Sequence, residues 1–380
     1  MPELTPAESR PRRLVVVTEQ MTSSHGTQML ASLVIDEACS AGFEVALFAP
    51  LYDPRRSDWT GFLEERNVRV FTASFWWMTR WYLPHRMLAR RLWRFVERFQ
   101  PQLVWSPDNE PMTCCALECR PAGAPPLIVH DPGDAEIESG RYPKLWFSIC
   151  SRVSGLSVHG RRQLGNARRH YRIESPVEIV WPSSARPEEP EHPLPRISTV
   201  RFAQFGRLDR NKSVVASILA IAALRAQGIT AELHIHGDGP ERSHLEALCR
   251  QHVLEDRVYF HGAYHWRDVG RLIGEVHVGL ITSKHEGFGL VMLELLSRKR
   301  PVVAVDVGSA REVLEELGGG WVVPAEDLVA LTERMKALCR EPRLIAEAGA
   351  RGAEVWHAHF TPESMFRRFT EFWRTCGVAL

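Results

Sequence analysis

Residues 283–294 read SKHEGFGLVMLE and run directly into LLSRKRPVVAVDVG. An extended apolar run, VHVGLIT, leads in; the turn Gly287–Phe288–Gly289 breaks it; an apolar run with helical spacing leaves. The stretch reads as strand, glycine loop and helix start. The first amides of a helix have no internal partner and carry the positive end of its dipole, so Gly289, Leu290 and Val291 can offer N–H groups to a phosphate. Glu286 stands just before the turn. Glu294 lies about one turn into the helix, where side chains tilt back toward its N-terminus, so both carboxylates can face one ligand. Carboxylates accept hydrogen bonds from vicinal hydroxyls. Two of them flanking a phosphate cradle suggest a sugar at one end and a ribose at the other: a nucleotide sugar. The plainer reading, a helix N-terminus with a capping acid, is equally open on these residues alone.

The surroundings decide between the two. VRFAQFGRLDRNKS supplies Gly206, Arg207 and Lys212 at the end of a strand; LHIHGDGPE ends a second strand in a turn containing Gly239; RVYFHG ends a third at Gly262. With seven residues between the two glutamates, this order and spacing resembles the retaining glycosyltransferases of family 4, densely over residues 200–340 and more loosely before them. The resemblance implies an α/β chain of the GT-B fold, with two Rossmann-like doubly wound parallel-sheet domains facing each other across a cleft. It places an acceptor-binding domain at 1–184, a linker at 185–198 (Pro- and Glu-rich RPEEPEHPLPR), a donor-binding domain at 199–360, and a helix within 361–380 crossing back. It further implies transfer of a hexose from a UDP- or GDP-sugar type of donor with retention of configuration. Glu286 would bind sugar hydroxyls and Glu294 the ribose. Gly206, Gly239, Gly262 and the Gly287–Val291 loop, Phe288 included, would line the donor. Developing negative charge on the leaving diphosphate must be stabilised. The sequence has no Asp-x-Asp placed for a divalent ion and its acids near strand ends look isolated, so Arg207, Lys212 and the loop amides take that task, with no metal or other cofactor expected.

The rest of the sequence is compatible with this. At 380 residues and 44% hydrophobic content there is material for two ordinary α/β cores. A net charge of +1 argues against a nucleic-acid partner. The eight cysteines form no CxxC pair. With no apolar signal region and no run near the roughly 18 apolar residues of a spanning helix, the expectation is a cytoplasmic protein, and a peripheral contact at the inner membrane face stays open.

In the N-terminal half, Leu14–Thr18 and FEVALFAP read as strands of a βαβ opening, and Gly26–Thr27 resembles a reduced form of the family's glycine turn, a low-weight donor site. Segment 75–99 carries Trp76, Trp77, Trp81 and Tyr82, then Arg86, Arg90, Arg94 and Arg98 every fourth residue, with Leu88, Leu92, Val96 and Phe99 on another face. Such a helix either lies on an anionic membrane or packs its apolar stripe inward beneath a solvated arginine face; the second is favoured. PLIVHD ends in His130, at the strand terminus where parallel sheets bind ligands, and the family resemblance gives it a contact with the transferred sugar or the acceptor hydroxyl. Asp131 can cap the next turn, Asp134 and Glu136 are acceptor candidates, His159 reads as structural, and Arg298–Arg300 as a solvated basic turn. The acceptor is a carbohydrate, lipid-linked sugar or small molecule. Two other readings stay in view: an epimerase on the same scaffold, and a non-catalytic nucleotide-sugar-binding partner.

Overall fold

The computed structural model describes residues 11–21, 26–72, 82–133, 144–187 and 193–380. The chain divides into an N-terminal unit (1–158, 164–180 and 366–380) and a C-terminal unit (159–163 and 181–365).

The N-terminal unit is built on strands β1 (Arg12–Val17), β2 (Phe43–Phe48), β3 (Arg69–Phe71), β4 (Leu103–Ser106), β5 (Leu127–Asp131), β6 (Gly155–Val158) and β7 (Val177–Ile179). They pair in the order 3-2-1-4-5-6-7, parallel throughout. Parallel strands need crossovers that cover both sheet faces, which is why runs such as LVVV and LVWS are apolar without alternation and fully buried. The order reverses between β1 and β4. At such a switch point the crossovers leave in opposite directions and open a crevice at the carboxyl ends of the strands.

Segment 366–380 completes this core: the Trp105 ring of β4 meets Phe369 at 5.3 Å and Trp373 at 6.4 Å. Helix Tyr82–Phe99 resolves the two readings of the basic segment in favour of a packed helix. Ala89, Leu92, Val96 and Phe99 are buried in the core, while Arg90, Arg91, Arg94 and Arg98 are exposed. Its apolar stripe is therefore taken by the unit's own sheet. Trp76, Trp77 and Trp81 lie outside the described residues, as do Asp134 and Glu136. Among the described residues no helix is long and apolar enough to cross a membrane.

The C-terminal unit repeats the plan with β8 (Val200–Phe205), β9 (Ala231–His236), β10 (Val258–Gly262), β11 (Val278–Ile281), β12 (Val302–Val305) and β13 (Gly320–Val323). The order is 10-9-8-11-12-13, again parallel, with the reversal between β8 and β11.

The basic turn after helix Leu290–Leu296 corrects the sequence reading. Lys299 is exposed, but Arg300 is only 1% exposed, and its guanidinium donates to the carbonyls of Val276 (2.8 Å), Arg298 (2.9 Å), Gly274 (3.2 Å) and Pro193 (3.3 Å). Lys299 takes a left-handed φ of 58°, which turns the following residue inward. There it meets the Gly274 carbonyl at the C-terminus of helix Val269–Gly274, an end that attracts a cation, and the Val276 carbonyl just beyond it. Burial lowers the Arg300 pKa to about 10. Arg300→Met should leave these carbonyls unsatisfied and cost about 2 kcal/mol of stability, read as a lower urea midpoint with an unchanged m-value.

Candidate functional site

The decisive stretch lies at the β8/β11 switch point. β8 ends in Phe205 and delivers Gly206 to Lys212; β11 ends in Ile281 and delivers Thr282 to Glu286. The two loops are locked together. Asp209 accepts from the backbone N–H groups of Asn211 (3.0 Å) and Lys212 (3.1 Å). The Asn211 side chain donates to the His285 carbonyl and accepts from the His285 amide. Gln204 and Thr282, bonded to each other, both donate to the Lys212 carbonyl. Lys212 is thus placed by at least three independent backbone anchors, and its Nζ donates to Glu286 Oε1 at 2.5 Å. Ser283 donates to the same oxygen at 2.7 Å. Arg207, by contrast, is exposed, and among the described residues its ion pair is a loose 3.9 Å one to Asp209.

Glycines bring backbone against backbone here. A Cβ on Gly237, whose φ is 140°, would lie 1.8 Å from the Gly206 oxygen, and one on Gly239 would lie 2.3 Å from the Leu208 oxygen. Amides join the same loops: Gly206 to the His236 carbonyl (2.9 Å), Leu208 to Asp238 (3.0 Å) and Gly237 to Gly262 (2.8 Å). Gly289 caps helix Leu290–Leu296 at φ 87°, so the amides of Gly289, Leu290 and Val291 precede the helix's own acceptors. Phe288 turns its ring inward, buried against His159 and Phe360, so what it offers a ligand is its backbone. Gln163 donates to the Gly287 carbonyl (3.1 Å), and Gly308 stands under the loop, where a Cβ would sit 2.8 Å from the Glu286 oxygen. Glu294 is half-buried and its pKa is raised by burial, with Arg298 acting in the opposite direction.

Behind the glycines stands a stack of rings: Phe205 on His236 (4.7 Å) and His236 on His261 (4.3 Å), with Tyr264 edge-on to Phe205. Burial lowers His236 to about 3. His159, buried as expected of a structural histidine, is likewise lowered to about 3.

In the N-terminal unit His130 ends β5 fully buried, with Nδ1 2.8 Å from Ser157 Oγ and its ring against Phe369. Asp131 accepts from the Gly133 amide (3.0 Å), the turn cap expected of it, and also from Tyr171 (2.8 Å). Gly26 is the exposed first residue of helix Gly26–Ser40.

Acids at the strand ends are not isolated, which corrects the reading of the sequence. Asp108 and Glu110, after β4, gather with Glu19, after β1, because those strands are neighbours although about 90 residues apart in sequence. Thr18 donates to Asp108 (3.2 Å), and Glu19 pairs with His85 (3.2 Å). Burial, then for Glu110 the nearby charge of Asp108, pushes both carboxyls well above the usual range. Only the switch-point topology, applied to LVWSPDNE, could have flagged them. Among the described residues no group of three or more His, Cys, Asp or Glu is disposed to hold a metal ion.

Residues 188–355 match the family model of the glycosyl transferases group 1. An alpha-D-kanosaminyltransferase of Streptomyces kanamyceticus is 28% identical over 173 residues, 46% of this chain and 45% of that protein. The chain spans less than half the length of the first curated relatives it matches. In fold, sucrose-phosphate synthase from Thermosynechococcus elongatus superposes with a TM-score of 0.80 at 16% identity, covering 96% of this chain and 98% of that one. Anabaena HepE, solved in complex with UDP, gives 0.76 at 16% identity, covering 96% and 100%. Residues 188–355 are thus similar to the glycosyl transferases group 1, and the fold is GT-B.

Proposed function

We propose that this protein transfers a hexose from a nucleoside-diphosphate sugar to an acceptor hydroxyl, with retention of configuration and without a metal ion. The observation that carries the reading is the Lys212–Glu286 contact at the β8/β11 switch point: an ammonium and a carboxylate fixed side by side by anchored loops. Lys212 suits the oxygens of a diphosphate, and Glu286 the hydroxyls of the sugar attached to it. Arg207, exposed at the mouth of the same loop, adds a second cation, and the amides of Gly289, Leu290 and Val291 add neutral donors. Glu294 is assigned to the ribose. Gly206, Gly239 and Gly262 set the backbone against which the base lies.

In the step itself the bond from the anomeric carbon to the diphosphate oxygen breaks, and its electron pair stays on the diphosphate. The acceptor oxygen bonds to the same face of that carbon, and the acceptor proton passes to the departing phosphate oxygen. The protein's part is to hold cations and amides where that charge appears, at no reorganisation cost during reaction. On the acceptor side, burial favours the protonated form of Glu110, the less buried of the two acids after β4, whose carboxyl can then offer both a donor and an acceptor to hydroxyls. A direct contact from His130 requires its ring to be uncovered first, so its assignment to the transferred sugar rests on its place at the end of β5.

A panel of UDP, GDP, ADP, CDP and TDP, each with and without EDTA, tests the donor site. A nucleotide at 100 times its dissociation constant adds about 2.7 kcal/mol, which for a unit of this size raises the melting temperature by roughly 5–10 °C. One nucleotide should produce that shift, unchanged by EDTA. Loss of the shift in EDTA would reinstate a metal, and no shift from any of the five would remove the nucleotide-sugar reading.

A further inference from the structure

The amino ends of the N-terminal sheet hold a cavity of about 670 Å³ that the proposed reaction does not use. One wall is the C-terminal half of helix Tyr82–Phe99, presenting Arg90, Trp93, Arg94 and Glu97; the other is the loop Pro121–Pro125. Pro101 and Pro125 stand two residues before β4 and β5 respectively, so the cavity lies at the opposite end of those strands from the switch-point crevice. It is a separate place.

Its walls are fixed. The Trp93 indole donates to the Ala116 carbonyl at 2.9 Å. Arg120 draws the loop in from behind, donating to Ser154 Oγ (2.9 Å) and to the Ala124 carbonyl (3.3 Å), and the prolines fix φ at their positions. The cations, in contrast, are uncommitted. Arg86 pairs with Glu118 at 3.2 Å, but Arg90 and Arg94 are exposed and have no ion pair among the described residues. Two arginines four residues apart stand side by side on a helix and repel each other, a cost that an anion between them would remove. Guanidinium forks match phosphate oxygens in pairs, and Glu97 adds an acceptor for a hydroxyl. The volume is that of a small-molecule site.

We infer that this cavity binds a phosphate ester or diphosphate, gripped by Arg90 and Arg94 against the proline-framed loop. The group arrives either on a soluble phosphorylated compound or as the headgroup of an anionic lipid. The inference does not rest on the donor-site assignment.

The test is titration calorimetry of the full chain with inorganic pyrophosphate, beside co-sedimentation with phosphatidylcholine vesicles with and without phosphatidic acid. The variants are Arg90→Ala/Arg94→Ala and, as an equal change of charge outside the cavity, Arg91→Ala/Arg98→Ala. Lys212→Ala separates any pyrophosphate bound at the donor site. All four arginines are exposed, so both double variants should fold, which calorimetric melting checks. Pyrophosphate binding that survives Lys212→Ala and weakens at least tenfold in Arg90→Ala/Arg94→Ala, but not in Arg91→Ala/Arg98→Ala, supports the site with a soluble ligand. The same pattern confined to acidic vesicles supports the lipid headgroup. Equal losses in the two double variants, or no loss in Arg90→Ala/Arg94→Ala, overturn the site.

Discussion

Lys212→Ala is expected to lower the rate of sugar transfer by about 100- to 1000-fold, the usual effect of deleting one preorganised donor to a developing anion. The loss should fall on kcat, because the charge on the departing diphosphate grows as the glycosidic bond breaks and the ammonium meets most of it in the transition state. Folding should be little affected. What positions residue 212 is its backbone, held through Asp209, Gln204 and Thr282, and none of those bonds uses the lysine side chain. Glu286→Gln is the companion: it keeps a Ser283 partner and removes the charge that faces the ammonium. Single-turnover measurement with a defined acceptor reads both. Wild-type rates in Lys212→Ala would sink the assignment of the whole loop.

Acid should unfold the two units separately, the C-terminal one first. His159, His236 and His277 all belong to that unit and are 6%, 2% and 0% exposed, and burial lowers them to about 3, 3 and 4. An unfolded histidine titrates near 6.5. Below that pH the unfolded chain binds protons that the folded unit refuses, so stability present above about pH 6.5 is lost as pH falls toward the folded values, by up to about tenfold in the folding equilibrium per pH unit for each group. Asp108 and Glu110 of the N-terminal unit act in the opposite sense. Their folded pKa values are raised, so the folded form holds protons that the unfolded chain has released, and their contribution is fully present only below the ordinary carboxylate pKa. Calorimetry at pH 7.5 and pH 5 should therefore show two transitions moving apart. His236→Phe keeps a ring between Phe205 and His261 and removes one titrating group, so it should flatten the acid slope of the C-terminal transition by about tenfold per pH unit. An unchanged slope in that variant would show that His236 is not among the groups responsible.

The sequence exposes the C-terminal unit far better than the other. Its candidate residues sit on short local motifs, glycine turn after strand, so Gly206, Lys212, Gly239, Gly262 and the Glu286–Glu294 loop stand out from spacing, and the structure brings Lys212 and Glu286 into contact across 74 positions. The supporting shell was not legible. Asp209, Asn211 and Gln204 are ordinary polar residues until β8 and β11 lie side by side and their loops interlock. The same holds for Glu19, Asp108 and Glu110, whose meeting depends on strand order. Arg300 was misread because a basic triplet in a turn is normally solvated; a single left-handed residue at Lys299 sends its side chain in to the carbonyls of a neighbouring helix end.

Because Phe369 and Trp373 pack on Trp105, the strands of the N-terminal unit wait for residues made long after them. On the ribosome, the strands of the N-terminal unit emerge with one apolar surface uncovered, while on the order of 200 further residues are added, a delay of roughly 10–40 s at ordinary synthesis rates. The C-terminal unit has no comparable debt beyond the short segment 159–163 already made before it. The order of completion is therefore the reverse of the order of synthesis, and the nascent N-terminal half is the species that a chaperone would hold.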